Sequence, residues 1–489
     1  MKNRRQFCSQ MAGMAGLAMA PDALRAAANL PRRPNIVLFL IDDMGWGDLG
    51  CYGEAFHETP NIDSLSRESM RFTNAYAGAP VCSPSRAAIL TGKAPARLHL
   101  TQWIPGTIYP HKKLLEPPTP LHLEADIPTI ASLLKSAGYR TGSIGKWHLG
   151  GEGYLPENFG FDVNIAGDNH GHPPSYFGPY HFHNLTGYSP SDYLTDVLTQ
   201  KMEGFVRQAA YKGPFFLYMA EYSVHLPLQA KQAMIEKYRR KNGGKNEPDP
   251  VYAAMIESTD IALGALRKVL ERSGVADNTI ILLTSDNGGV GFQGRNLHRI
   301  ADNGPLRAGK GYLYEGGLRE PFLVHWPGMT KGGMVSDVPV SGLDLLPTIL
   351  RMAEAPHAPG PLDGLDLTDL FRNGTPPQRD TLYWHYPHYS DQGGTPGSAI
   401  REGDWKLIEF FENDQLELYN LSLDPGEQYN FASSFADRAS YLRSKLSAWR
   451  DSLDAAMPTL NPNYNPTLAE ARRGPAGCSW LPGHACRED

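Results

Sequence analysis

The chain has 489 residues, of which 41% are hydrophobic and 20% are charged, as in folded globular proteins with a large core. The formal net charge is −6, and no basic stripe is present to neutralise phosphates, which argues against a general nucleic-acid binder. The 50 glycines and 40 prolines indicate many loops, and we find no internal repeat.

The first 28 residues have the pattern of an export signal. The pair Arg4–Arg5 precedes the short apolar run MAGMAGLAMA, and alanines at 26–28 could form a cleavage site. We therefore predict a signal peptide of twin-arginine type over residues 1–28, with a basic N-terminus of no targeting function as the alternative. No segment is long and apolar enough for a membrane helix, so we expect a periplasmic or secreted mature protein without an integral membrane segment.

The first 285 residues alternate buried-strand patterns with helical patterns. The strand patterns are continuous apolar runs, as expected for parallel strands covered on both faces. This alternation predicts an α/β fold whose large, mainly parallel sheet is sandwiched by helices. The predicted strands are NIVLFLI (35–41), TGSIG (141–145), FFLYMAEY (215–222) and TIILLTS (279–285), and the predicted helices cover 126–138, 192–209 and 251–274.

Charged or metal-liganding side chains follow each of these strands. Taken singly, each is explained as an ordinary helix cap, turn or surface group. Because ligands bind beyond the carboxyl ends of strands in open α/β sheets, four such strand ends together indicate one site. The side chains are Asp42 and Asp43 after the first strand, Lys146 and His148 after the second, His225 after the third, and Asp286 and Asn287 after the fourth.

Four of these residues are hard oxygen donors, namely Asp42, Asp43, Asp286 and Asn287. Such donors suit Ca²⁺ or Mg²⁺ rather than zinc or copper. Three carboxylates packed together without a cation would cost several kcal/mol. We predict one Ca²⁺ ion, with Mg²⁺ as the second choice, because an exported protein meets calcium freely and calcium tolerates varied geometry.

A set of cationic and imidazole groups accompanies these oxygen donors. In the stretch PVCSPSRAAILTG (80–92), Arg86 follows Cys82 by four residues, so the two share a face of a helix that begins near Cys82. A ring of such groups beside a metal suits a tetrahedral oxyanion, which predicts a sulfate or phosphate ester as substrate. The ring comprises Arg86, Lys146, His148, His225 and Lys310.

The five cysteines fit no zinc or C-x-x-C pattern. Cys8 lies in the predicted signal, and Cys478 and Cys486 are close enough in sequence for a local disulfide in an oxidising compartment. For Cys82 a disulfide, a nucleophile and simple core packing remain open at this point.

The C-terminal part has a different pattern. Residues 356–381 are rich in proline, glycine and aspartate, and short strand patterns follow at 381–389, 398–411 and 416–421, before a helix at 439–453. We predict a smaller antiparallel sheet with one packed helix. The predicted divisions are a catalytic domain over 31–375, this subdomain over 376–460 and a tail over 461–489.

The segment CSPSRAAILTG (82–92) resembles the signature of the type I, formylglycine-dependent sulfatases of the alkaline phosphatase superfamily, which is C-x-P-S-R followed by a helix and T-G. The resemblance extends over residues 34–430, and it implies an alkaline phosphatase-like fold and sulfatase activity. The other matching segments are DDMGWGDLGCYG (42–53), TPNIDSLSRES (59–69), GKWHLG (145–150), SDNGG (285–289) and GKGYLYEGGLREPFLVHWPG (309–328).

The resemblance also implies how the thiol is used. A maturation enzyme would oxidise Cys82 to formylglycine, whose hydrated form attacks sulfur through one oxygen held at the metal. The metal ligands would then be residue 82 together with Asp42, Asp43, Asp286 and Asn287. A diol suits this reaction because its second hydroxyl can expel the bound sulfate without an attacking water.

The same resemblance implies a role for each cationic group. Arg86 would hold the diol, and Lys146 and Lys310 would bind sulfate oxygens. His225, with Lys310, would protonate the leaving alcohol, and His148 would take the proton from the second hydroxyl. Asp286 would help to deprotonate the attacking oxygen.

Two segments suggest the substrate. Residues 167–184 and 383–389 are dense in aromatic and histidine side chains, which suit sugar rings but also pack domain junctions. The chain resembles exported bacterial polysaccharide sulfatases, and we predict a sulfated galactose or N-acetylgalactosamine unit as substrate. His172, His298 and His388 are candidate substrate contacts, because polar loop residues near a site often carry function.

Three alternatives are retained. A phosphodiester or phosphonate monoester hydrolase of the same superfamily would use a similar site. An inactive homologue would bind carbohydrate without cleaving it. An unmodified Cys82 thiol, activated by nearby cations, would be a nucleophile, although no Cys–His–Asn signature accompanies it.

Overall fold

The computed structural model describes residues 33–244, 248–293 and 298–470, and the backbone of two short strand segments at 472–473 and 479–480. The predicted signal peptide and the Cys478–Cys486 pair lie outside the described residues. None of the helices in the described ranges has the length and apolarity to cross a membrane.

A mixed sheet of nine described strands forms the centre of the fold. Its strands are β1 (Asn35–Ile41), β2 (Met70–Tyr76), β4 (Arg140–Gly145), β5 (Val163–Ile165), β6 (Phe215–Ala220), β7 (Thr279–Ser285), β10 (Arg319–His325), β11 (Met334–Ser336) and β12 (Val340–Ser341). Strand β1 pairs in parallel with both β6 and β7, and β4 extends the parallel part between β6 and β5. On the other side, β10 runs antiparallel between β7 and β2, while β11 and β12 pair with β2.

Three short strand pairs lie outside this sheet. They are β3 (Leu114–Leu115) with β17 (Thr459–Leu460), β8 (Phe292–Gln293) with β9 (His298–Arg299), and β18 (Arg472–Arg473) with β19 (Ser479–Trp480).

Helices cover both faces of this sheet, which explains the continuous apolar strand patterns. In β1, Val37 and Phe39 belong to the core on one face, and Ile36 and Leu38 belong to the core on the other. The predicted α/β architecture is confirmed. The helices are α1 (Pro60–Glu68), α2 (Cys82–Thr91), α3 (Pro95–Leu98), α4 (Ile130–Ser136), α5 (Leu194–Ala209), α6 (Gln232–Lys241), α7 (Pro250–Arg272), α8 (Glu315–Leu318), α9 (Leu345–Met352), α10 (Thr368–Asn373) and α11 (Ala436–Ser452).

A separate antiparallel sheet with one helix confirms the predicted C-terminal architecture. Its order is β13 (Thr381–Tyr386), β14 (Gly397–Glu402), β15 (Trp405–Phe410) and β16 (Gln415–Asn420), and α11 packs on β14 and β15. The Trp384 indole donates a hydrogen bond to the Ala77 carbonyl oxygen at 2.8 Å, which joins this sheet to the segment after β2. The domain boundaries themselves stay predictions.

Candidate active site

The candidate site lies at the carboxyl ends of β1 and β7. These strands are neighbours in register, with Ile41 opposite Ser285, so the residues that follow them emerge side by side. Asp42, Asp43 and Asp286 each offer a carboxylate oxygen, and these three oxygens lie within 4.8 Å of one another in a buried position. The structure therefore brings the predicted carboxylates together.

Asn287 completes this set of oxygens. Its side-chain Nδ2 donates to Asp43 Oδ1 at 2.8 Å, whereas its Oδ1 is buried and accepts no hydrogen bond from the described residues. Burial raises the pKa of Asp42 well above its ordinary value, although Lys146 lowers it. An unsatisfied amide oxygen beside clustered carboxylates fits a hard divalent cation, which would also favour the charged form of Asp42.

Arg86 crosses the cluster from α2 and is fully buried. Its Nε donates to Asp286 Oδ2 at 2.8 Å, and its Nη2 lies 3.4 Å from Asp42 Oδ1. Its Nη1 donates to the Lys146 carbonyl oxygen at 2.9 Å. Burial raises the pKa of Asp286, but the Arg86 and Lys146 charges outweigh it, and the pKa is lower than usual.

Two lysines pair with the remaining carboxylate oxygens. Lys146 Nζ lies 3.0 and 2.8 Å from the two Asp42 oxygens, and Lys310 Nζ lies 2.8 Å from Asp43 Oδ2. Burial lowers the pKa of Lys310, but the charges and the hydrogen bond of the surrounding groups, Asp43 first among them, together outweigh it, and the net shift of the pKa is upward. Three cations thus face three carboxylates, and a divalent ion would leave the site positive and suited to an anionic substrate.

Two histidines flank the cluster. Lys310 Nζ lies 2.9 Å from His225 Nε2, and His225 Nδ1 lies 2.9 Å from the Leu226 carbonyl oxygen. The second histidine is His148, whose Nε2 is in hydrogen-bonding contact with the Ile104 carbonyl oxygen. Burial lowers the pKa of both imidazoles well below the ordinary value, so both are neutral at pH 7.

Cys82 is the first residue of α2, as predicted, and its side chain is buried. It forms no disulfide in the described structure. Burial raises the pKa of its thiol, although Lys146 and Lys310 lower it. A protonated thiol is a poor nucleophile, so the structure disfavours catalysis by unmodified Cys82.

The three predicted substrate contacts differ in position. The His172 ring is exposed and stacks on the His225 ring, with 5.8 Å between centroids and 9° between planes. His388 is buried and its Nε2 bonds Thr101 Oγ1 at 2.8 Å. The side chain of His298 lies outside the described part of the structure. The structure thus brings His172 to the site, whereas the roles of His298 and His388 stay predictions.

Sequence reasoning missed the backbone groups that orient the histidines. The carbonyl oxygens of Ile104 and Leu226 carry no residue-specific signal, and the contact between Ile104 and His148 spans 44 residues. Fold and charge arrangement define the class of the protein: an α/β protein with a buried, cation-lined site, an arrangement that suits a tetrahedral oxyanion.

Known proteins are similar to this chain in sequence and in fold. A family model named Sulfatase matches residues 34–355, and a model described as N-sulphoglucosamine sulphohydrolase, C-terminal, matches residues 308–451. Arylsulfatase A from Homo sapiens is 33% identical over 469 residues, covering 85% of this chain and 86% of the relative. N-acetylgalactosamine-6-sulfatase from Homo sapiens is 31% identical over 491 residues and covers 89% of each chain.

A comparison with solved structures also finds a protein of similar fold and sequence. The crystal structure of Ps i-CgsB in complex with k-i-k-neocarrahexaose has a TM-score of 0.73 and 30% sequence identity, covering 89% of this chain and 96% of the solved one. The chain belongs to the sulfatase family of the alkaline phosphatase superfamily, and its class of enzyme is the sulfuric ester hydrolases.

Proposed function

We propose that this enzyme hydrolyses sulfate monoesters of a carbohydrate, of galactose or N-acetylgalactosamine type, and releases inorganic sulfate. The arrangement of three carboxylates, three cations and an unsatisfied Asn287 oxygen around Cys82 carries the proposal. The substrate class is supported by relatives named for N-acetylgalactosamine 6-sulfate and by the solved complex with an oligosaccharide.

Two groups would complete the site. Asp42, Asp43, Asp286, Asn287 and the modified residue 82 would hold one Ca²⁺, with Mg²⁺ less favoured, and the ion would supply charge stabilisation to the attacking oxygen. Conversion of Cys82 to formylglycine by a maturation enzyme would supply a hydrated aldehyde, with one hydroxyl for attack and one for release of sulfate.

The chain's own cations bind and orient the sulfate. Lys146 and Lys310 are each close to a carboxylate and to residue 82, so they can bind sulfate oxygens while staying charge-paired. Arg86 donates a hydrogen bond to Asp286 and lies four residues after residue 82 on the same helix, so it would hold the diol and the neighbouring charge. Donors held in place in a dry site stabilise the negative charge that develops in the transition state.

The two histidines move protons in opposite directions. His225 Nε2 accepts a hydrogen bond from the Lys310 ammonium, so a proton can pass through His225 to the leaving alcohol oxygen. His148 is neutral, and its Nδ1 is buried without a hydrogen-bond partner in the described structure. That nitrogen can accept the proton of the second hydroxyl of residue 82. The exposed His172 ring stacks on the ring of His225, the proposed proton donor to the leaving alcohol, which supports a contact between His172 and the sugar.

Sulfate release from a panel of defined sulfated mono- and oligosaccharides tests the function. We expect turnover on galactose or N-acetylgalactosamine sulfates, and turnover of an aryl sulfate well above that of the matched aryl phosphate and phosphonate. Preferred cleavage of the phosphorus esters would support the rival hydrolase. Glycan binding without sulfate release, with the aldehyde present, would support a binding protein.

Mass spectrometry of the peptide over 71–97 tests the modification. We expect the mass of formylglycine in active protein. An intact, alkylatable Cys82 in fully active protein would contradict the mechanism. Export to the periplasm or medium stays a prediction, and cell fractionation with N-terminal sequencing tests it.

A further inference from the structure

Ser83 occupies the position that the C-x-P-S-R pattern leaves open, and none of the roles above uses it. It follows Cys82 in α2 and is fully buried. Its Oγ accepts a hydrogen bond from the backbone N–H of Ile104 at 3.0 Å. This contact ties a residue of the 99–113 loop to the start of the helix that carries Cys82.

The same Ile104 also holds His148. The Ile104 carbonyl oxygen contacts His148 Nε2, and a carbonyl can only accept a hydrogen bond. Nε2 must therefore carry the proton, which leaves a lone pair on Nδ1. Within the described residues that buried Nδ1 has no hydrogen-bond partner, so it is free to accept a proton.

Close packing limits the orientations that the His148 ring can adopt. A Cβ atom at Gly171 would lie 2.7 Å from His148 Cε1 and from Nε2, which shows how closely the backbone at Gly171 covers that edge. Ile104 itself is buried in the core, which limits movement of its peptide group. Ring orientation and tautomer thus both depend on where the Ile104 peptide sits.

His225 shows the opposite arrangement. Its Nδ1 faces the Leu226 carbonyl and its Nε2 faces Lys310, so the nitrogen presented to the reaction is Nε2. In each histidine a backbone carbonyl selects the tautomer. In the described structure, the residue that supplies the carbonyl to His148 is also held, through its own N–H, by a side chain next to Cys82.

We propose that Ser83 is a positioning residue, which holds Ile104 through its N–H so that the Ile104 carbonyl keeps His148 in the tautomer with an unprotonated Nδ1 toward residue 82. The inference rests on the proposed function, because Nδ1 is there the atom that receives the proton of the second hydroxyl. Ser83 acts through Ile104 and His148 and touches no substrate.

Substitutions at residue 83 test the link by steady-state kinetics. Per mole of formylglycine, Ser83→Ala is expected to lower kcat for an aryl sulfate about tenfold or more, part of the 10²–10⁴-fold that a general base contributes, with KM within about twofold. Ser83→Thr keeps the hydroxyl and should restore kcat. Ser69→Ala is the matched control, because it removes a buried hydroxyl whose one hydrogen bond among the described residues goes to the Leu65 carbonyl oxygen, and it should leave kcat unchanged.

If Ser83→Ala folds poorly, Ser83→Val can be compared with Ser83→Thr, because the two side chains have nearly equal volume and only threonine has a hydroxyl. We expect Ser83→Val to have the lower kcat. Unchanged kcat in Ala and Val, or a loss that Thr shares equally, would overturn the proposal.

A readout independent of turnover is the ¹⁵N spectrum of histidine-labelled protein, in which His148 is assigned by its absence in His148→Gln. We expect the Nε2–H tautomer in wild type and in Ser83→Thr, and a mixture of tautomers in Ser83→Ala. One unchanged tautomer in all three would overturn the proposal. If wild-type protein with formylglycine released no sulfate, the proposed function would fail, and this spectrum alone would decide on Ser83.

Discussion

Among the described residues, two buried clusters of charges are similarly well paired, and the candidate active site lies at one of them. The active-site cluster comprises Asp42, Asp43, Asp286, Arg86, Lys146 and Lys310. The junction cluster comprises Glu315, Arg319, Arg401, Lys406 and Glu427, and connects α8 with β14, β15 and the chain after β16.

The junction cluster is as well paired as the active-site cluster. Lys406 Nζ lies 2.9 Å from Glu315 Oε1 and 2.9 Å from Glu427 Oε1, and Arg319 lies 2.7 Å from Glu315 Oε2. The Tyr76 hydroxyl donates to the same Glu315 oxygen at 2.7 Å. These contacts connect the two sheets beside the loop that carries Lys310.

The clusters differ in the groups that lie beside them. Their own side chains are buried to a similar degree, since Lys310 is 7% exposed in the active-site cluster and Arg319 is 9% exposed in the junction cluster. The active-site cluster adjoins His225, whose side chain is 14% exposed, and Asn287, whose buried Oδ1 accepts no hydrogen bond in the described structure. In the junction cluster Glu427 Oε1 also accepts no hydrogen bond from the described residues, but it lies 2.9 Å from a lysine ammonium. Buried charge alone therefore does not mark a functional site.

The largest difference between the two clusters is expected when one fully buried lysine in each is replaced by methionine, since one change should lower activity and the other should lower stability. Lys146→Met is expected to lower kcat by about 10²–10³-fold, because it removes a cation from the sulfate-binding position. Lys406→Met should lower the free energy of unfolding by about 3–5 kcal/mol, because it leaves Glu315 and Glu427 buried without their cation.

Denaturant unfolding and kinetics on the folded fraction measure both effects. An equal loss of kcat in folded Lys406→Met would remove the distinction between the clusters.

Metal removal should affect only the active-site cluster. Chelation with EGTA is expected to abolish sulfate release and to remove about 2.7 kcal/mol of stability relative to protein held at 100 times the dissociation constant for Ca²⁺. Added Ca²⁺ should restore both. Lys406→Met should respond to EGTA like wild type, whereas Asp43→Asn should respond weakly. Full activity in metal-free protein would contradict the metal site.

Glu221 is a buried carboxyl group whose two oxygens accept no hydrogen bond within the described ranges, so it isolates the effect of burial. Burial raises its pKa from 4.5 to about 8. Its neutral form is favoured in the folded state, so stability is present at low pH and is lost as pH rises from about 4.5 to about 8.

Glu221→Gln should flatten this dependence. We expect the difference in unfolding free energy between variant and wild type to grow by up to ~1.4 kcal/mol per pH unit in that range, measured in urea. Glu116, whose pKa burial also raises to about 8, is present in both proteins and cancels in the difference. A difference independent of pH would contradict a shifted pKa for Glu221.

The smallest effect is expected at an exposed ion pair. Arg267 Nη2 lies 2.7 and 2.9 Å from the two oxygens of Glu68, but the Glu68 side chain is 46% exposed. Glu68→Gln should change stability by no more than about 1 kcal/mol, because solvent and salt screen the pair. A loss as large as that in Lys406→Met would show that burial does not decide the strength of these pairs.

The sequence allowed much of the active-site cluster to be predicted because its three carboxylates and Lys146 follow strands directly. Continuous apolar runs locate β1 and β7 in a parallel sheet, and Asp42 and Asp286 must then emerge at the same edge. The antiparallel strands β2 and β10 were not identified individually, although REPFLVH (319–325) lies within a matching segment. The C-terminal sheet was predicted from its short strand patterns.

The junction cluster had no such signal. Lys406 lies in a strand whose sequence has no feature that marks a buried charge, and its partner Glu315 is 91 residues away in the chain. The buried position of His388 was equally unpredictable, because its burial depends on Thr101 in a distant loop. Contacts between distant segments that follow no strand end depend on tertiary packing and leave no local pattern.

The hydrogen bond from Trp384 to the Ala77 carbonyl has a practical consequence for anyone shortening this enzyme. Ala77 is five residues before Cys82 in the chain, so the segment that leads into the helix carrying Cys82 is held partly by the part of the chain that begins at Thr381. A truncation before Thr381 would remove this hydrogen bond. A chimaera with a C-terminal part from another protein would need an indole N–H donor at the position of Trp384. The minimal working unit therefore includes both sheets.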